Sequence, residues 1–294
     1  MEVIHKPVLL KEVLKFLKVK PGGKYIDATV GEGGHAQEII RQGGNVLGID
    51  QDPAILEEAR SGMSEAGLGK QLVLVQGNFR EIDRIAKEAG FVPADGILLD
   101  LGISTWHLKK SGRGFSFQQD EPLDMRADPN LNVTAADLLN GLTSYELEEL
   151  FRKYGEEERA KPLAASIVRA RSLKPFRTTT DLVGVVEKVI RREKINPATK
   201  IFQALRIAVN DEVGNLRSVL PRAVEVLGAG GRLVVISFHS LEDREVKRFF
   251  QQMEEQQRGT ILTEKPVTAA AAELALNPQA RSAKLRVIER WEKS

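Results

Sequence analysis

"DATVGEGGH", residues 27 to 35, is the stretch whose reading decides the fold. Gly31, Gly33 and Gly34 follow the apolar run "KYIDAT" (24 to 29) and precede a segment in which Ala36, Ile39 and Ile40 recur at helical spacing. This predicts a strand, a glycine turn and a helix in succession. Glycines at such a turn let backbone approach a ligand closely, and the helix start adds N–H groups with no partner inside the helix. Asp50 closes the next apolar run, "NVLGID" (45 to 50), where doubly wound folds place a carboxylate on ribose hydroxyls. The constellation points to a nucleotide-like ligand, although a plain tight turn with a solvated acid has the same local pattern.

Working outward, Gly43 and Gly44 stop the first helix, and Asp52 with Pro53 opens another as a cap and a first-turn proline. "LVLV" (72 to 75) and "GILLD" (96 to 100) read as two further buried strands, which makes the sheet parallel. From about 105 to 215 strand signals give way to helical periodicity, as in "SYELEELFRKY" (144 to 154), "LAASIVRARS" (163 to 172) and "DLVGVVEKVIRRE" (181 to 193). Strand chemistry returns in "GGRLVVISF" (230 to 238), and "ILTEKPV" (261 to 267) and "KLRVIERW" (284 to 291) form a closing antiparallel pair. The expected fold is α/β: a doubly wound, mostly parallel Rossmann-like sheet from residues 1 to 104 and 216 to 294, with a helical domain inserted over 105 to 215.

Composition excludes several classes. The 294 residues are 42% hydrophobic and 29% charged, with no low-complexity tract. Formal charge is only +2, too mild to identify a nucleic-acid partner by itself. There is no cysteine, hence no disulfide and no thiolate metal site, and the four histidines lack helical ligand spacing, so no metal is expected. GxSxG, Walker A and HExxH motifs are missing. The start "MEVIHKPVLLKEVLKFLKVK" lacks a signal-peptide core, and no apolar run approaches the ~20 residues of a membrane span, so a cytoplasmic location is expected.

Asp100 ends "GILLD" at the carboxyl edge where open α/β sheets hold ligands, and it faces cofactor or substrate unless it merely caps a loop. Phe79 in "GNF" is placed to pack on a flat ring such as adenine, or equally in the core. In "SFHSLEDR" (237 to 244) Ser240 and Asp243 have capping-box spacing, which sets His239 at a helix mouth. In "IFQALRIAVNDE" (201 to 212) Ile201, Leu205, Ala208 and Val209 share one face, leaving Gln203, Arg206 and Asn210 as a polar stripe for substrate or for water.

With these pieces placed, the chain closely resembles the ribosomal RNA small subunit methyltransferase H family, also called MraW, nearly end to end. The resemblance is carried by "HKPVLLKEV" (5 to 13), "DATVGEGGH" (27 to 35), "GIDQDP" (48 to 53), "DGILLDLGIS" (95 to 104) and "RGFSFQQDEPLDMR" (113 to 126). It continues through "YGEE" (154 to 157), "ATKIFQALRIAVNDE" (198 to 212), "GGRLVVISFHSLEDREVK" (230 to 247) and "NPQARSAKLR" (277 to 286). It implies an S-adenosylmethionine-dependent enzyme that methylates the exocyclic N4 of a cytidine in small-subunit (16S) ribosomal RNA, at the decoding centre. Gly33, Gly34 and His35 match the family's cofactor loop, Asp50 the acid on the ribose, and Phe79 and Asp100 further cofactor contacts. Many relatives read Ser-Ser-Pro-Gln where this chain has Ser104, Thr105, Trp106 and His107, so His107 stands in for a glutamine contact.

The place after the fourth strand also lacks the Asp/Asn/Ser-Pro-Pro-aromatic motif of DNA amino methyltransferases, reading Asp100, Leu101, Gly102, Ile103. Acceptors for the target amine are then expected from Asp100, or from Ser237 and His239, with Asp100 and His239 the catalytic candidates. For RNA, the insert and nearby loops offer Arg113, Phe115, Phe117, Arg126, Arg177, Arg191, Arg192 and Arg206, at most one of the two phenylalanines meeting a base. The expected partner is the assembled small ribosomal subunit, with a homodimer left open and no membrane. Two other readings are a nicotinamide-dependent oxidoreductase, against which the strict GxGxxG spacing is missing, and a non-catalytic RNA-binding scaffold, which the Gly33, Asp50 and Asp100 set disfavours.

Overall fold

Apolar side chains on both faces of single strands explain the architecture. In "GILLD" Ile97 and Leu99 enter one hydrophobic cluster while Leu98, between them, enters another, and all three are fully buried. A strand buried on both faces belongs in the middle of a covered sheet, and each such side chain contributes about 1.5–3 kcal/mol. The computed structural model describes residues 7–191 and 196–291.

Helices and strands alternate at first: α1 (Leu10–Leu17), β1 (Lys24–Asp27), α2 (Gly34–Arg41), β2 (Asn45–Asp50), α3 (Pro53–Glu65), β3 (Leu72–Gln76), α4 (Ile82–Glu88) and β4 (Ala94–Asp100). Six helices follow: α5 (Thr105–Lys109), α6 (Ala135–Gly141), α7 (Ser144–Gly155), α8 (Ala160–Arg171), α9 (Thr179–Val189) and α10 (Ala198–Asn210). The chain closes with α11 (Glu212–Val226), β5 (Leu227–Ser237), α12 (Ser240–Glu255), β6 (Gly259–Ile261), α13 (Ala271–Leu276) and β7 (Lys284–Arg290). It divides into two compact units, Met1–Gly102 with Val213–Ser294, and Ile103–Glu212.

The first unit carries a seven-stranded sheet of order β3-β2-β1-β4-β5-β7-β6. β1 to β5 run parallel, with Ile26 beside Leu47 and Ile97, while β7 lies antiparallel between β5 and β6. One sheet face packs on α1, α2 and α3 through Val13, Ile39 and Leu56, the other on α4, α11 and α12 through Ile85, Leu220 and Phe250. Two expectations need correction. "LVLV" is not a buried strand: β3 lies at the sheet edge, where Val73 is 43% exposed. The partner of β7 begins at Gly259 rather than Ile261 and is short, with Val267 reaching Leu285 only through an isolated bridge.

The second unit is helical and has its own core, including Leu147, Phe151, Leu163, Ile167, Leu182, Val186, Ile201 and Leu205. Capping boxes start three of its helices: Thr134 with Asp137, Thr143 with Glu146, and Thr178 with Asp181. No helix among the described residues is long and apolar enough to cross a membrane.

Candidate active site

Three acids terminate neighbouring strands at one edge of the sheet: Asp27 on β1, Asp50 on β2 and Asp100 on β4. Parallel strands make this alignment automatic, since their carboxyl ends all emerge on the same side. Asp27 is 1% exposed, and burial, with the neighbouring Asp50 charge adding to it, pushes its carboxyl up to about 7 even though the Thr29 N–H donates to it. Asp50 is held by backbone: Oδ2 accepts from Gly31 N–H (3.2 Å) and Oδ1 from Asp52 N–H (3.0 Å). Those two N–H groups fix the orientation of the carboxylate at the strand end.

Asp100 is placed by β4 and by its N–H, which donates to Thr29 Oγ1 at 2.7 Å. Its carboxyl is raised well above the usual carboxylate range by burial and by the charges of Asp27 and Glu242. Oδ2 lies 3.6 Å from His35 Nδ1, while Oδ1 is buried with no hydrogen-bond partner among the described residues. A buried acceptor left open costs free energy unless a ligand or water completes it.

The glycine turn serves both packing and approach. Gly33 caps α2 with φ +85°, a conformation L side chains rarely adopt, and a Cβ there would also meet Met63 Cε at 3.1 Å. At Gly34 a Cβ would sit 2.6 Å from Pro7 Cγ. His35 is 6% exposed, with Nε2 2.9 Å from the Val8 carbonyl. Phe79 opens a short 3-10 turn capped by Asn78 and is partly buried against the core between sheet and α4.

At the end of β5, Ser237 is 2% exposed and its hydroxyl donates to the Lys284 carbonyl at 3.3 Å. The capping box is displaced by one residue from the expected Ser240 and Asp243. His239 is the N-cap of α12, Nδ1 accepting from Glu242 N–H (3.3 Å), while Glu242 Oε2 accepts from Phe238 N–H (2.8 Å) and His239 N–H (3.4 Å). Histidine is an uncommon cap, which is why serine was the stronger signal. Asp243 instead takes Arg286 (2.6 Å) and Lys284 (3.3 Å).

In the helical unit the sequence-predicted substrate residues are drawn into the unit's own framework. Arg113 donates to the carbonyls of Arg126 and Ala127 and lies over Trp106. Arg126 makes a bidentate pair with Asp124 and reaches the Pro129 and Leu131 carbonyls. Phe115 is buried, and Phe117 packs edge-on against Phe202. The expected stripe on α10 is not a water-facing surface: Gln203 donates to Tyr154 O, Arg206 forks onto Glu212, and Asn210 is buried, bridging Met125, Ala127 and Arg206 backbone. His107, also buried, faces Ser104 Oγ at 3.0 Å and lies edge-on to Trp106 and Phe115. Arg177 and Arg191 are exposed, and Arg192 lies outside the described residues.

Sequence reasoning passed over Asp27, Thr29, Val8 and Glu242. Only Asp27 left a signal, an acid closing an apolar strand just ahead of the glycine turn; the others act through backbone or through long-range contacts.

A sheet of this strand order, with an antiparallel seventh strand and acids at the ends of β1, β2 and β4, defines a Rossmann-like methyltransferase. A crystal structure of a Clostridium thermocellum protein described as an rRNA methylase shares the fold, with TM-score 0.50 at 12% identity over 99% of this chain and 100% of that one. The profile of the MraW methylase family matches residues 2–291, and the chain belongs to that family. It is 48% identical to ribosomal RNA small subunit methyltransferase H of Thermomicrobium roseum, over 97% of this chain and 93% of that protein. Against the protein of the same description from Dictyoglomus thermophilum it is 45% identical over 100% and 99%. The chain is a methylase that uses S-adenosylmethionine. The site fits that cofactor on its own terms: a helix start at a glycine turn, an oriented acid on β2, and the orphaned Asp100 Oδ1.

Proposed function

We propose that the protein methylates the exocyclic N4 of a cytidine in small-subunit ribosomal RNA, at the decoding centre, within the assembled small subunit. The single observation that carries the chemistry is the buried, unpartnered Oδ1 of Asp100 at the cofactor edge of the sheet. The relatives described as ribosomal RNA small subunit methyltransferase H support the ribosomal RNA substrate.

Gly33, Gly34 and His35 would line the cofactor at the start of α2, with Asp50 on its ribose, Phe79 on its adenine and His107 in the family's glutamine place. When bound, S-adenosylmethionine supplies an electrophilic methyl group on a sulfonium. A cytosine amine is a poor nucleophile because its lone pair is delocalised into the ring, so placement in line with that methyl supplies much of the acceleration. With the cofactor bound, Asp100 Oδ1 would accept one amine N–H and so concentrate electron density on the nitrogen that takes the methyl group, the sulfonium supplying that methyl and keeping the electron pair of its C–S bond. The proton released by the methylated amine would pass to solvent water after attack. Ser237 and His239 are the further candidates for holding the base. The helical unit serves substrate recognition, with Arg113, Phe115, Phe117, Arg126, Gln203, Arg206 and Asn210 supporting it from within the unit's framework.

Methyl transfer from labelled S-adenosylmethionine to small subunits lacking the modification, compared with naked RNA and followed by nucleoside analysis, tests the reading. N4-methylcytidine formed on the subunit is the expected product. Cofactor binding with no methyl on any cytidine N4 overturns it.

A further inference from the structure

Over the first three turns of α12 the acids are spent inside the fold and the bases are not. Glu242, 3% exposed, accepts from the Phe238 and His239 N–H groups at the helix start. Asp243 takes Arg286 and Lys284, and Glu245 is forked by Arg217 of α11 at 2.6 and 2.9 Å. Each of these two carboxylates keeps only 14% of its side-chain surface open to solvent. The outward face of the helix from Ser240 to Gln252 is instead Ser240, Arg244, Lys247, Arg248, Gln251 and Gln252, all exposed and none acidic. Positions four, seven and eight residues on from Ser240 share one side of a helix, so the three bases form a stripe.

A solvated helix face ordinarily mixes charge signs. Here the Arg217 hydrogen bond holds Glu245 below the usual carboxylate range, and the charges of Arg248 and Arg244 add to it. Three guanidinium groups therefore gather about one carboxylate, a local surplus of positive charge. Among the described residues no side-chain hydrogen bond or ion pair engages Lys247 or Arg248. The helix also starts at the site: His239 is its N-cap, and Glu242 is one of the charges acting on Asp100. At about 1.5 Å per residue, Arg248 lies roughly 14 Å along the axis from His239, about the length of four stacked nucleotides.

We propose that the outward face of α12 is an RNA-docking surface of the sheet unit, with Lys247 and Arg248 contacting phosphates of the strand that flanks the target nucleotide. The proposal rests on the ribosomal RNA substrate read above. Lys247 also borders a cavity of about 280 Å³ together with Glu254 and Glu264, which Arg248 does not line, so Arg248 is the sharper probe.

Binding of the full chain to small subunits lacking the modification, measured at several salt concentrations, tests it. Arg248→Gln is expected to weaken binding about two- to fivefold and to flatten the salt slope by about 0.7, and adding Lys247→Gln about doubles the flattening. The thermal midpoint and the S-adenosylmethionine Kd are expected to stay at wild-type values, since both side chains are exposed. A salt slope that Arg248→Gln leaves unmoved overturns the proposal. The chain has no cysteine, so Gln252→Cys gives a single attachment point for a photocrosslinker one turn beyond Arg248. A crosslink to ribosomal RNA is expected; a crosslink to ribosomal protein alone, or none, overturns RNA as the occupant. If the slope flattens and the crosslink forms on RNA while no cytidine N4 is methylated, the surface stands and the reading of the methyl acceptor falls. If methyl transfer proceeds and the slope is unmoved, the surface alone falls.

Discussion

The carboxyl edge of the sheet and the helical unit treat polar groups in opposite ways. At the sheet edge Asp27 is buried with its proton affinity raised, and Asp100 keeps one oxygen buried with no partner among the described residues. In the helical unit Asn210 makes three hydrogen bonds from its buried amide, and Arg126 and Arg206 are each forked onto a carboxylate. Unmet polar groups cost stability that a ligand or water restores, whereas satisfied ones hold a scaffold in shape. On the proposed reading, the difference separates residues kept for chemistry from residues kept for structure, and substitution breaks or sharpens it.

The largest effect is expected at Asp100. Asp100→Asn keeps size and shape but weakens the acceptor, so kcat for methyl transfer falls about 100-fold or more, a loss typical of one electrostatic contact to a reacting group. Thermal stability stays level or rises, because the raised carboxyl is replaced by a neutral amide. Single-turnover kinetics and a melting curve check both. Asn210→Ala is the matching probe of the helical unit. It strips partners from the Ala127 N–H and the Met125 carbonyl, and about 3 kcal/mol of stability is expected to go. Urea unfolding measures it; a loss below about 1 kcal/mol would return Asn210 to the list of groups held in reserve.

The sheet edge was far more legible in sequence than the helical unit. Gly33, Asp50 and Asp100 follow from strand ends and a turn, features set by residues close in the chain, and parallel pairing then brings their ends together without further information. Helical periodicity likewise found α7, α8 and α10. It did not show that the polar side of α10 faces protein, because the partners Tyr154 and Met125 lie 49 and 85 positions away. His35 shows both limits at once. Its place at the helix start was readable, but its contacts with Val8 and Asp100 are tertiary. The edge position of β3 was hidden for the same reason, since strand order and not strand composition decides exposure.

A smaller effect, with a pH signature, is expected at Asp27. Its folded carboxyl holds a proton up to about pH 7, whereas the unfolded chain releases one near the ordinary value for aspartate. Between those values the native state binds more protons, so stability falls as pH rises and the penalty is complete above pH 7. Asp27→Asn removes the penalty. It is expected to be about 2 kcal/mol more stable than wild type at pH 8, with the gain vanishing toward pH 4. Urea midpoints across that range check the sign; a gain largest at acid pH would mean that Asp27 is ionised in the folded protein, and that the sheet edge is not held under the strain argued above.

The smallest effect separates arginines that touch RNA from arginines that hold the helical unit. Arg177 is exposed, and among the described residues nothing engages its guanidinium; only its backbone is used, donating to Asp181 and accepting from Leu123. Arg126, by contrast, spends its donors on Asp124 and two carbonyls. An arginine on a phosphate contributes through released counterions, so Arg177→Gln is expected to weaken binding of a ribosomal RNA fragment about two- to fivefold. The salt slope should flatten by about 0.7 for a single-stranded contact, with stability unchanged within about 0.5 kcal/mol. Arg126→Gln should do the reverse, lowering stability by about 1–3 kcal/mol while the salt slope stays put. If Arg126→Gln flattens the slope and leaves stability alone, its internal contacts are the ones exchanged for phosphate on binding, and the helical unit too would keep groups in reserve, in satisfied form rather than bare.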